Sequence, residues 1–515
     1  MVYTRGFPAV LAMLFALPGA AQQPPAYDQP FRPQYHFSPR QNWTNDPNGL
    51  VYFDGEYHLF YQYNPLGDRW GHMSWGHAVS RDLLHWQELP VALAEENGIM
   101  IFTGSTVVDQ HNSSGFCAGG KPCMVAVYTG HTPAAGGRPA LETQNIAYSN
   151  DRGRTWTKYA GNPVLDLHMT NFRDPHAFWS DTAKRWVMVV ALPNEHNVLF
   201  YGSTDLKKWD RVGEFGPAGA TGGQWECPTL AEVPVEGGGT RWVLKVGLNP
   251  GAPQGGSAEQ YFVGSFDGTA FTNDNPPTTT LWTDYGKDCY CALPFNGPPP
   301  GNRPVMLGWM NNWQYAGNVP TSPWRGQMTI PRRLQLRQTA AGLRLAQEPA
   351  DVKALRGAHF SWRGGDVAAL NRALGKAARG ASWELRASVQ PGAAAEIGWK
   401  VFSGGGNYTL VGYSAERGEF FVDRTHSGDT SFSPNFPART SVKWPAGAGP
   451  VEFTILGDRS TLEVFAQGGL VALTTLVYPS AGANGMQFYA EGGKQREVRV
   501  ERWELASTWP RDAAR

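Results

Sequence analysis

An excess of either charge is missing from this 515-residue chain: Lys plus Arg and Asp plus Glu both number 44. A balanced surface argues against tracking a phosphate backbone and suits a neutral ligand, so no nucleic-acid partner is expected. Long apolar runs are also missing. Past the N-terminus none reaches the roughly 18 residues that a membrane-spanning helix needs, so no membrane span is expected. Cysteine is scarce, with five in the whole chain. Neither Cys nor His falls at metal-ligand intervals (His72 with His77 and His168 with His176 lack the usual spacing), so no metal site is expected. Cys117 and Cys123 bracket a short Gly-rich loop and are the candidate disulfide. Cys289 and Cys291 share one strand face and cannot bridge each other without distortion, while Cys227 reads as a free, buried thiol.

What the chain does contain is globular: 41% hydrophobic and 17% charged residues, in a length that exceeds one ordinary core and predicts two domains. The first 21 residues read as a secretion signal, with Arg5, an apolar stretch from Val10 to Leu17 and the small residues Gly19-Ala20-Ala21. Secreted or periplasmic localisation is the expectation. The 61 Gly predict many tight turns, and the 20 Trp supply core filling and candidate sugar-stacking platforms.

A repeat runs through the first two-thirds. Ser80-Arg81-Asp82 leads to Trp86, Ser149-Asn150-Asp151 to Trp156, Ser203-Thr204-Asp205 to Trp209, and Ser265-Phe266-Asp267 to Phe271. Before these come hairpin patterns, the clearest being Leu50 to Phe53, the Asp54-Gly55 turn and Tyr57 to Tyr61. Five strand-rich units of roughly 50 to 70 residues, without a convincing long helix, predict a five-bladed β-propeller over 28–335. Leu334 to Leu355, rich in Leu, Arg, Gln and Ala, reads as a partly helical connector, the linker spanning 336–356. Alternating strands return over 357–507 with another rhythm and predict a β-sandwich, so the fold class is all-β.

Three acids open strand-like segments in equivalent units: Asp46 in Trp43-Thr44-Asn45-Asp46-Pro47-Asn48-Gly49, Asp174 in Phe172-Arg173-Asp174-Pro175, and Glu226 in Trp225-Glu226-Cys227-Pro228. An isolated Asp before Pro is usually a turn residue. A propeller changes that expectation, because the first strands of all blades ring one channel and can carry distant side chains to its mouth. Two carboxylates flanking a bound sugar are what glycosidic cleavage needs, one ionised and one carrying a proton. Neighbouring carboxylates raise one another's proton affinity, so a cluster of three can keep one member protonated.

These motifs, in this order, closely resemble glycoside hydrolase family 32, the β-fructofuranosidases. The resemblance extends to Tyr61-Gln62-Tyr63-Asn64-Pro65, Trp70 to His77, Phe102-Thr103-Gly104-Ser105, Gly308-Trp309-Met310-Asn311-Asn312-Trp313 and Leu462-Glu463-Val464-Phe465. It implies a propeller followed by a β-sandwich and no cofactor. Asp46 would be the nucleophile, Glu226 the general acid and then base, and Asp174 the transition-state stabiliser. Asn45, Gln62, Trp70, Phe102, Thr103, Arg173 and Trp309 match the family's fructose-binding positions. Thr103 stands where Ser is frequent and keeps the hydroxyl, and Thr44 stands where Met is common. The implied activity is release of terminal fructose from levan or inulin, and fructose from sucrose, the partner being a fructose-containing oligo- or polysaccharide. A sucrose-specialised invertase, an endo-levanase and, in a different class, a non-catalytic sugar-binding propeller are the competing readings.

Overall fold

The computed structural model describes residues 27–299, 301–350, 352–377, 380–445, 447 and 449–510. The expected secretion signal at 1–21 lies outside them. Five sheets follow one another along the chain, opened by the strands Asn42–Phe53, Met100–Asp109, Arg173–Ser180, Gln224–Pro234 and Tyr290–Pro294. Each of these inner strands packs against that of the next sheet, and Tyr290–Pro294 packs back against Asn42–Phe53, so the five close into a ring. A parallel pairing of Asn42 and Trp43 with Trp324 and Arg325 ties the late chain to the first sheet. Such closure leaves no inner edge open to mispairing.

The repeat has a concrete local structure. Ser80 donates to Asp82, which accepts the amides of Leu84 and His85, and the indole of Trp86 donates to the Leu83 carbonyl at 3.1 Å. Trp156 reaches Gly153 and Trp209 reaches Leu206 in the same way, at 3.0 Å each. A short polar turn thus satisfies its own backbone, while the aromatic pins the outer strand. At the Asp54-Gly55 turn both residues have positive φ, +49° and +84°, as a tight two-residue hairpin requires.

The connector expected at 336–356 is largely strand. Arg332–Thr339 and Gly342–Pro349 pair antiparallel and complete the fifth sheet. Arg, Gln and Leu are good helix formers, which is why the composition misleads. The period-two pattern wins: Leu334, Leu336 and Leu345 enter one apolar cluster with Val243 and Tyr261. Only a short turn, Val352–Leu355, separates this hairpin from the second domain.

That domain is a sandwich of a six-stranded and a five-stranded sheet, with one helix, Val367–Ala377. Its core holds Trp383, Trp399, Phe420, Phe453 and Phe488. It docks on the ring through buried charges: Arg332, itself paired with Asp284 of the ring at 2.9 Å, pairs with Glu463, and His36 sits between Asp458 and Glu463 at 3.1 and 3.0 Å. No helix among the described residues is long and apolar enough to cross a membrane.

Candidate active site

Every inner strand breaks register near its start: between Thr44 and Pro47, Ile101 and Gly104, Arg173 and His176, Glu226 and Thr229, and Tyr290 and Leu293. A β-bulge leaves residues unpaired and re-aims their side chains. The residues freed include Asn45 and Asp46, Phe102 and Thr103, and Asp174, while Arg173 and Glu226 border the breaks. In the second blade the missing side chain of Gly104 permits the close approach, since a Cβ there would sit 2.1 Å from the Val127 carbonyl oxygen.

The result is one cavity of about 370 Å³. Asp46, Asp174 and Glu226 all line it, with Asn45, Gln62, Trp70, Phe102, Thr103 and Arg173. Trp309 does not. It is fully buried, packed on Trp43 and Trp313 with ring centroids 6.2 and 4.8 Å apart, and Trp313 takes the place at the wall. His131, Glu142 and Asn249 also line the cavity. They come from later strands of the blades, where no motif announced them. A larger cavity of about 870 Å³ lies between the sandwich and the fifth sheet, but none of the three acids reaches it.

The polar contacts define the site's electrostatics. Thr103 Oγ1 donates to Asp46 Oδ2 at 3.1 Å, while Asp46 Oδ1 is buried without a hydrogen-bond partner among the described residues. Trp43 Nε1 donates to Asn45 Oδ1 at 2.8 Å and fixes that amide beside the acid. Arg173 Nη2 donates to Glu226 Oε1 at 2.8 Å and to Gln224 Oε1 at 2.9 Å, and the Tyr290 hydroxyl donates to Glu226 Oε2. Glu142 anchors the other side of Arg173 at 3.4 Å. Burial alone would lower the Arg173 guanidinium, but Glu226, Glu142 and Asp174 more than offset it and hold the group charged.

Both aspartates hold protons more tightly than usual. Burial, helped by Glu226, pushes Asp46 up to about 7 against the hydrogen bonds from Asn45 and Thr103. Burial likewise pushes Asp174 up to about 8, opposed by Arg173 and reinforced by Glu226. Asp174 has φ +67°, and its Oδ2 accepts the Cys227 amide at 2.9 Å.

The linkage has a definite sign. Between an unfolded value of about 3.9 and the folded value of about 8, the folded chain retains a proton that the unfolded chain has released. Stability therefore falls as pH rises through that window. Asp174→Asn, which keeps an acceptor for the Cys227 amide, should melt at a higher temperature than the parent at pH 7 and no higher at pH 4. Paired calorimetric scans check this.

Cys117 and Cys123 form a disulfide, as expected. Cys227 is not a free thiol: it is joined to Cys291, and Cys289 is the free buried cysteine. The partners lie on the adjacent inner strands Gln224–Pro234 and Tyr290–Pro294, a proximity set by the packing of successive sheets. Two described side-chain groups have metal-like geometry, Asp46 with Cys227 and Cys291, and Asp109 with Cys117 and Cys123. Each contains a disulfide, whose sulfurs lack the thiolate charge that binds metals.

Comparison with known proteins finds matches over most of the chain. The model described as "Glycosyl hydrolases family 32 N-terminal domain" matches residues 36–349, and "Glycosyl hydrolases family 32 C terminal" matches 351–505. A levanase of Bacillus subtilis (strain 168) is 44% identical over 513 residues, covering 98% of this chain and 74% of the relative. An extracellular exo-inulinase of Aspergillus awamori is 42% identical over 516 residues, 94% of this chain and 96% of the relative. The crystal structure of exo-inulinase from Aspergillus awamori superposes with a TM-score of 0.86 at 40% identity, covering 94% of this chain and all of the other. A β-fructofuranosidase of Schwanniomyces occidentalis, solved with fructosyl-erythritol, gives 0.84 at 30% identity, again covering 94% of this chain and all of the other.

Proposed function

Given that the chain belongs to glycosyl hydrolase family 32 and is a glycosidase, we propose that it releases terminal fructose from β-fructans, and fructose from sucrose, with retention of configuration. The observation that carries this reading is the meeting of Asp46, Asp174 and Glu226 in one small cavity, with Arg173 bridging Glu226 to Glu142. In the first step Asp46 attacks the anomeric carbon C2 of the terminal fructose. Glu226 gives its proton to the departing glycosidic oxygen. In the second step Glu226 takes a proton from water, which attacks the same carbon and frees fructose from Asp46.

The surrounding groups fit these duties. Asp46 Oδ2 is held by Thr103, leaving Oδ1 for bond formation. Arg173 and Tyr290 fix the carboxyl of Glu226. Asp174, Asn45 and Gln62 are placed to bind ring hydroxyls, with Phe102, Trp70 and Trp313 as apolar walls.

Exo action is favoured over endo action by the size and walls of the cavity, about 370 Å³ and bounded by Trp70, Phe102 and Trp313, which suits a chain end. Extracellular exo-inulinases among the relatives support an exported enzyme, in line with the N-terminal sequence. A product time course on levan, inulin and sucrose tests the reading. Fructose as the sole early product from levan and inulin is expected, and early oligosaccharides would overturn exo action.

A further inference from the structure

Two of the five cysteines meet in the buried layer against the active-site acids, and no step described so far uses their sulfurs. Cys227 and Cys291 join two adjacent inner strands across 64 residues of sequence. Their position in the ring is the informative point. Asp174, Cys227 and Cys291 each occupy the first bulged position of successive inner strands. All three have left-handed backbone, with φ of +67°, +49° and +47°. Residues other than Gly hold that conformation when their surroundings over-determine it, and such residues cluster at functional sites. In one blade this position delivers a carboxylate; in the next two it delivers a sulfur apiece.

The bridge touches each of the three acids by a different route. Cys227 directly follows Glu226 in the chain. Its amide donates to Asp174 Oδ2 at 2.9 Å. Its sulfur lies 3.8 Å from Asp46 Oδ2. At the other end, Cys291 directly follows Tyr290, whose hydroxyl donates to Glu226. Both cysteines are buried. A thiol or hydroxyl at Cys227 could donate a hydrogen bond to Asp46, whereas a disulfide sulfur has no proton to give. The face turned to Asp46 is therefore uncharged and donor-free, consistent with burial as the main cause of that group's raised proton affinity.

We propose that the Cys227–Cys291 disulfide is a positioning element of the hydrolytic site, locking the strand of Glu226 to the strand of Tyr290 and laying a donor-free wall against Asp46. The proposal rests on the glycosidase mechanism given above. A structural staple alone would change melting temperature. A positioning element must also change turnover and its pH dependence.

The test uses the mature chain and four variants: Cys227→Ser, Cys291→Ser, the double variant Cys227→Ala with Cys291→Ala, and a control in which Cys117 and Cys123 are both Ser. Non-reducing peptide mapping of the parent should join the Cys227 and Cys291 peptides. Loss of the bridge should lower kcat on sucrose by about 10- to 100-fold, the scale of small misplacements at reacting groups. In Cys227→Ser the new hydroxyl can donate to Asp46, so the acidic limb of kcat/KM should move down by about half a pH unit or more. The control should keep the parent's kcat, KM and pH profile. If the bridge variants fail to fold, the control protein prepared in oxidising and in reducing cells supplies the same comparison. Free thiols at Cys227 and Cys291 in the parent would overturn the proposal. So would bridge-free protein that melts lower but keeps kcat and the acidic limb. A parent inactive on sucrose and fructans would instead sink the hydrolytic reading itself.

Discussion

Asp46→Asn should lower kcat on sucrose by about four orders of magnitude, some 5 kcal/mol of transition-state stabilisation, while the protein stays folded. The amide is nearly isosteric and keeps an oxygen for Thr103, but it cannot form a stable ester with the fructosyl carbon. The fold should not suffer. Asp46 is a buried acid pushed up to about 7, so a neutral amide removes a group that ionises more readily in the unfolded chain at pH 7. The melting temperature should match or exceed the parent's. Steady-state kinetics beside a thermal scan checks both halves. Retained hydrolysis in a folded Asp46→Asn protein would remove Asp46 from the chemistry.

Glu226→Gln should reduce kcat on sucrose by about 10³-fold, within the usual range for losing a general acid–base group. The loss should depend on the leaving group. With fructosyl fluoride, whose departing ion needs little protonation, formation of the intermediate should proceed near the parent's rate. Its breakdown should stay slow, because no base activates water. A burst of fluoride followed by a slow steady state is the expected trace. Arg173 would also lose its carboxylate partner on Glu226 while keeping Glu142 and Gln224, so the pocket should persist. Equal losses on sucrose and on the fluoride would mean that Glu226 acts mainly in positioning.

The three acids were legible because propeller geometry turns equivalent sequence positions into neighbours, and each stands near a bulge that its Pro-containing motif marks. The sandwich strands were legible from alternation, as in Trp383–Gln390 and Val451–Asp458. The hairpin Arg332–Pro349 was hidden by helix-forming composition, although its leucines alternate inward. Trp309 and Trp313 share one motif, and sequence could not tell which ring faces the cavity, because the chain turns between them after the strand Val305–Trp309. The Cys227–Cys291 bridge was invisible because its partners lie 64 residues apart in successive sheets, and only the side-by-side packing of their inner strands brings them together. His131, Glu142 and Asn249 carried no signal at all, since each is an ordinary polar residue in its own strand.

The sandwich contributes to the site indirectly. Its Arg424 donates to the Tyr315 hydroxyl at 2.7 Å and pairs with Asp288, while Tyr315 closes the segment that begins at Trp313. The wall of the cavity is thus braced from the second domain.

Covalent capture at Asp46 is the most direct test of the double-displacement mechanism. Glu226→Gln protein mixed with fructosyl fluoride, quenched in acid during the slow phase and digested, should yield one peptide heavier by a single fructosyl unit. Fragmentation should place that unit on Asp46. An unmodified Asp46 peptide in a protein that still turns over the fluoride, or a sugar carried on another side chain, would contradict the mechanism.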